Sequence, residues 1–201
     1  MLNKITYSIV LLVVHFILVY HVHFTGKTSY DDRIKNKKIN PKIYDVGHKY
    51  LPNYSQNVYL KYLTDVVLYL PLLFGGWAVY YDYLSYSTIF YILRYITTAV
   101  TILPKEKGCP DESFGFMNLF QGHCYDKIFS GHFATSVLLS LLLYNYGIIT
   151  NVVALLVYNS LMVYLILVTR SHYTVDLIIG GYIAATSYLL GWNVDFVRNL
   201  F

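Results

Sequence analysis

Apolar residues along this chain come in long blocks rather than at the spacing of an amphipathic helix or strand. Six blocks stand out, at residues 5–22, 63–81, 84–103, 133–149, 152–169 and 175–190. Most of them match the roughly 17–25 residues that a helix needs to cross a hydrocarbon core about 30 Å thick; the last is the shortest. The pattern predicts an all-α protein: a multi-pass, six-helix transmembrane bundle forming one domain over 1–201. The one long polar stretch, 25–62, lies between the first two blocks. No internal repeat or low-complexity tract interrupts the series.

Composition agrees with that reading. Of 201 residues, 56% are hydrophobic and 13% charged, against about 25% charged in an average soluble domain. The first block follows Lys4 as in a signal peptide. Bulky Tyr20, His21, Val22, His23 and Phe24 come after it and no small-x-small cleavage site is present, so it reads as a retained helix. Many of the 23 tyrosines fall near block ends, as expected of an aromatic belt at the membrane boundary. Arg33, Lys35, Lys37 and Lys38 make the polar loop basic. In a membrane setting this is a solvated, lipid-facing cluster, and no nucleic-acid partner is expected.

Two polar segments carry the candidate chemistry. Ser130-Gly131-His132 opens the fourth block, and Arg170-Ser171-His172-Tyr173-Thr174-Val175-Asp176 opens the sixth. Spans that differ by two run in the same direction, so six-span parity puts both histidines at one membrane face. Helix N-termini offer unpaired N–H groups and a positive dipole end to an anion. Ser130 suits an N-cap, Gly131 lets an anion approach the backbone, and the planar fork of Arg170 suits phosphate oxygens. His172 and Asp176 are four residues apart, close enough on a helix for the carboxylate to fix the imidazole tautomer. Either histidine could equally be an interfacial cap. The pairing of the two segments on one face is what favours a site.

Ser130-Gly131-His132 with His172-Tyr173-Thr174-Val175-Asp176 resembles the type 2 phosphatidic acid phosphatase superfamily, and within it the sphingomyelin synthase branch. Cys124-Tyr125-Asp126 stands before Ser130 where that branch has Cys-Gly-Asp. Arg94, Ile96, Thr97, Val100, Thr101, Leu103 and Pro104 follow its third-span pattern, and Leu51-Pro52-Asn53 echoes its Leu-Pro-Asp. The departures are Tyr125 for Gly, Asn53 for Asp, and the lack of the Lys-x6-Arg-Pro motif of the classical lipid phosphatases.

The resemblance implies a metal-free, cofactor-free site with catalytic His132, His172 and Asp176. His172 forms a phosphohistidine-type intermediate, Asp176 orients it, and His132 serves as acid and then base. Arg170, Ser130, Gly131, Arg94 and Asp126 are the candidate phosphate-binding residues. The expected partners are a phospholipid donor and a ceramide-like or diacylglycerol-like acceptor. A lipid phosphatase or phospholipase C type hydrolase is the alternative, and a non-catalytic scaffold the third reading. No zinc spacing is present; a Cys109–Cys124 disulfide is expected if their loop faces an oxidising lumen. The Lys/Arg distribution puts the histidines' face in the cytosol, whereas the family has its site on the lumenal or extracellular face of an endomembrane or the plasma membrane. The resemblance takes precedence here.

Overall fold

The computed structural model describes residues 2–31, 43–101, 103 and 128–192, with the side chains of 2–4 and 29 excepted. Among them are seven helices and no strand: α1 (Leu2–Tyr30), α2 (Val46–Tyr50), α3 (Val58–Tyr69), α4 (Leu72–Val100), α5 (Gly131–Asn145), α6 (Val152–Val168) and α7 (Thr174–Leu189). The all-α class follows directly. Cys109, Cys124 and Asp126 lie outside the described residues, and so does the expected disulfide.

The last three apolar blocks reappear as α5, α6 and α7 with ends moved by a few residues. The second and third do not. The chain is helical straight through Asp82 and Tyr83, where the sequence suggested a break. The interruption falls earlier, at Leu70–Pro71, where the α3 and α4 axes are bent by 65°, and again at Gly76, whose φ of 63° leaves the helical region. Pro71 cannot donate to the preceding turn, and Gly76 tolerates positive φ. Hydropathy reads through both breakers and stops instead at the charge of Asp82.

Among the described residues one helix, Ile5–Thr28, is long and apolar enough to cross a membrane alone. The bent α3–α4 pair adds a second if it counts as one span, and α6 and α7 are apolar but shorter. The bundle nevertheless exposes much apolar surface. On α1, Ile9, Val13 and Ile17 are each more than half exposed, and on α6 so are Val153, Leu156 and Val157.

Helix α5 sits at the centre, packed on α3, α4, α6 and α7, while α1 lies along α4. Leu138, Leu139, Leu142 and Leu143 of α5 fill the core with Val79, Leu84 and Phe90 of α4. Polar links cross the bundle: Asn159 of α6 donates to Ser140 Oγ (2.7 Å) and accepts from Ser136 Oγ (3.1 Å).

The start of α5 is clamped to the first turns of α7. The Ser130 N–H donates to the Asp176 carbonyl at 2.9 Å, and Gly180 lies against the Ser130 backbone. A Cβ at position 180 would stand 2.6 Å from the Ser130 oxygen. Alanine in a helix is ordinarily worth up to about 1 kcal/mol over glycine. Here the clash is with backbone, which cannot rotate away, and overpacking costs about 1–3 kcal/mol. Gly180→Ala is therefore expected to lower thermal stability, readable as a drop in Tm of the detergent-solubilised protein.

Candidate active site

His132 and His172 come together, as the parity argument expects. Their ring centroids are 6.3 Å apart. Each ring has its own carboxylate. His132 Nε2 lies 2.9 Å from Asp65 Oδ1 on α3, and His172 Nδ1 lies 3.7 Å from Asp176 Oδ2 on α7. His172 and Asp176 are both 1% exposed, while His132 and Asp65 line the more open side of the pair.

Local structure explains the placement. Ser130 is the N-cap of α5, its Oγ accepting from the Phe133 N–H at 3.2 Å. His132 therefore projects from the first turn of α5, at the positive end of the helix dipole. Asp176 caps α7 from within: its Oδ2 accepts from the Tyr173 N–H at 2.9 Å. One carboxylate thus fixes the end of α7 and faces the His172 imidazole.

The His172 turn is built on the end of α6. Ser171 N–H bonds to the Ile166 carbonyl and Arg170 N–H to the Leu167 carbonyl, the two bonds of a Schellman cap. Arg170 occupies the left-handed position with φ of 57°, where glycine is usual and another residue costs about 1–2 kcal/mol. Its guanidinium offsets that cost. It donates to the carbonyls of His48 and Leu51, each at 2.9 Å, and to Leu167 at 3.3 Å. Arg170 thus fastens α2 to the His172 turn.

The cation that reaches the start of α5 is instead Arg94, buried on α4. Its Nη1 lies so close to Gly131 that a Cβ there would collide with it. The Gly131 position is open to close approach, and the side chain approaching it is this arginine.

Burial holds the His172 pKa below the usual 6.5. The Asp176 carboxylate, 3.7 Å away, pulls it back up, and Arg94 and His132 push it down. A neutral imidazole is the nucleophilic form, so this balance keeps His172 reactive at pH values where an ordinary histidine is protonated.

Sequence reasoning named Arg94 only as a secondary candidate and missed three contributors. Asp65 is one; its signal was an acid inside the apolar block 63–81. The others are Asp45 and His48. Asp45 Oδ1 caps α2 by accepting from the His48 N–H (2.9 Å), and its two oxygens accept from the Thr174 hydroxyl (2.9 Å) and N–H (2.7 Å) at the start of α7. His48 Nε2 pairs with the His172 carbonyl at 3.0 Å. No local pattern marks a contact between residues 45 and 174.

Burial tends to raise the Asp45 pKa, but the His48 and Thr174 donors and the His48 charge outweigh it and hold it below 3.8. A depressed folded-state pKa adds stability that is present above the unfolded value and is lost as pH falls through the folded one. Wild type is thus expected to lose stability as pH falls below about 4, in part through Asp45. Asp45→Ala should be less stable at neutral pH by about 2–4 kcal/mol, with a flatter acid limb. Thermal unfolding across pH checks both.

The family model described as PAP2 superfamily C-terminal matches residues 123–193. No curated protein matches the chain. The match covers about a third of the sequence, including the His132 and His172 segments, the Asp176 carboxylate and all of α5, α6 and α7. It supports the PAP2 superfamily, and with it an enzyme of phosphatase or phosphotransferase type, for the part of the chain that holds both histidines.

Proposed function

We propose that this protein is an integral membrane enzyme that transfers a phosphate-containing head group from a phospholipid to a lipid hydroxyl, in the manner of the sphingomyelin synthase branch. The observation that carries the reading is the pair of histidines 6.3 Å apart at two helix starts, each facing its own carboxylate. The apolar outer surfaces of α1 and α6 and the six apolar blocks support a bundle set in lipid. The active-site face is then lumenal or extracellular.

With Nδ1 turned to Asp176, Nε2 of His172 attacks the phosphorus. The bond from phosphorus to the glycerol oxygen breaks as that oxygen takes a proton from Nδ1 of His132, releasing diacylglycerol. An acceptor hydroxyl then gives its proton back to His132 and attacks the phosphorus, and the P–N bond to His172 breaks. Asp176 and Asp65 stabilise the imidazolium of their respective histidines. Arg94 and the α5 N-terminus compensate the charge on the phosphoryl oxygens. Arg170, Ser130 and Gly131 shape the backbone on which these groups sit, and Asp126 remains a further candidate for the phosphate.

The reading is tested by supplying labelled phosphatidylcholine and phosphatidylethanolamine to protein in liposomes, with and without ceramide. The expected result is a ceramide-linked head group plus diacylglycerol. Diacylglycerol with free phosphorylated head group would mean that water is the acceptor and the enzyme a phospholipase C type hydrolase. Phosphate release from phosphatidic acid alone would make it a lipid phosphatase.

A further inference from the structure

The Asp176 carboxylate does not by itself fix where the His172 ring stands. The two are 3.7 Å apart, longer than a hydrogen bond, so Asp176 acts on the imidazole through charge. His172 also lies outside the helices, because α6 ends at Val168 and α7 begins at Thr174. The direction of its side chain is therefore set by the peptide units of the connecting turn and by whatever holds them.

The His172–Tyr173 peptide unit is held at both of its polar atoms. The Tyr173 N–H donates to Asp176 Oδ2 at 2.9 Å. The His172 carbonyl lies 3.0 Å from His48 Nε2. A carbonyl only accepts, so Nε2 is a protonated nitrogen of His48 and the partner assigns the tautomer. A peptide unit is planar, and pinning its two polar atoms removes most of its freedom to rotate. His48 is itself a fixed anchor. Its N–H donates to Asp45 Oδ1 (2.9 Å), its carbonyl accepts from Arg170 Nη2 (2.9 Å), and its ring lies against that of Tyr173 with centroids 5.1 Å apart. Asp45 then returns to the same turn, where its Oδ2 accepts from the Thr174 N–H at 2.7 Å. These bonds close loops between α2 and the His172 turn, and the His48 ring is the member that grips residue 172.

We infer that His48 is a positioning residue for the nucleophile: its Nε2–H holds the His172 carbonyl and so sets the line along which the His172 ring meets the phosphorus. The inference rests on the transfer reading, in which His172 attacks, and adds to it a residue that acts through another. A misplacement of about 1 Å can cost on the order of 10²-fold in rate. Loss of this hydrogen bond should therefore fall on kcat, where alignment is felt, and little on KM.

The test compares His48→Leu, His48→Asn and His48→Gln in liposomes with phosphatidylcholine or phosphatidylethanolamine and ceramide. Glutamine carries an N–H donor at the reach of Nε2, asparagine stops short of it, and leucine has none. His48→Leu and His48→Asn are expected to lower kcat by about 10–100-fold with KM within about threefold, and His48→Gln to recover most of the rate. The Asp45 and Arg170 bonds remain in all three, and Tm checks the fold; the two amides, alike in polarity, carry the comparison if leucine lowers it. An unchanged kcat in His48→Leu and His48→Asn, or equal losses in His48→Gln and His48→Asn, would overturn the inference. A second readout needs no turnover. In protein labelled with ¹⁵N-histidine, the His172 ring signals are identified by their absence from His172→Ala. They should move in His48→Leu and return toward the wild-type positions in His48→Gln. Signals that stay in place would overturn the inference even if head groups are transferred. Signals that move and return in a protein that transfers no head group would uphold the positioning of His172 and refute the transfer reading.

Discussion

His172→Ala is expected to lower kcat for head-group release by about 10⁴-fold or more, because removing the nucleophile of a covalent mechanism leaves only binding and electrostatic catalysis. The geometry makes the loss specific. His172 is fully buried and faces Asp176, so no solvent-borne group replaces it, and His132, 6.3 Å away, has its Nε2 tied to Asp65. The same side chain sets the pH profile. Its pKa lies below 6.5, so the acidic limb of kcat/KM should fall below that value. Arg94 is one of the charges that depress it; Arg94→Gln should move the limb upward while weakening phosphate binding. Asp176 acts in the opposite sense, and Asp176→Asn should move the limb downward while also weakening the α7 cap. A pH-independent defect in Arg94→Gln would argue against its charge acting on His172. Rates from pH 4.5 to 8, normalised to folded protein, make the comparison.

Asp65→Asn is expected to reduce kcat by about 10²–10³-fold, within the range that general acid–base catalysis contributes. The amide can still bond to His132 Nε2, so the ring keeps its position, but it no longer stabilises the imidazolium that donates to the leaving oxygen. The deficit should therefore be largest for donors with poor leaving groups and should shrink toward wild type for an activated ester such as a p-nitrophenyl phosphodiester. An equal deficit for both would make Asp65 a purely positioning residue. Loss of folding would show as a fall in Tm, and Asp65→Glu offers the conservative control.

How much of this was legible beforehand depended on whether the signal was local. α5, α6 and α7 follow from uninterrupted apolar blocks, and Ser130 from its place before one of them. The His172–Asp176 relation is a four-residue helical spacing. Even the meeting of the two histidines followed from parity, although the helices that carry the count are drawn differently around Pro71 and Gly76. What escaped was non-local or hidden by composition. The Asp65–His132 pair joins positions 67 residues apart, and the Asp45–Thr174 bonds join positions 129 apart. Arg170 looked like the phosphate ligand because it neighbours His172 in sequence. The left-handed turn it occupies swings its guanidinium to the α2 carbonyls, and Arg94, thirty-eight positions before His132, approaches the helix start in its place.

The most direct test of the account is to trap the intermediate. Protein in liposomes would be mixed with phospholipid labelled at phosphorus, quenched with base within the first turnover, and digested. The account predicts an acid-labile, base-stable label on the peptide containing His172, present in wild type and in slowed Asp65→Asn and absent from His172→Ala. Label on the His132 peptide instead would reverse the assigned roles. Turnover with no labelled histidine at any quench time would contradict the covalent mechanism itself.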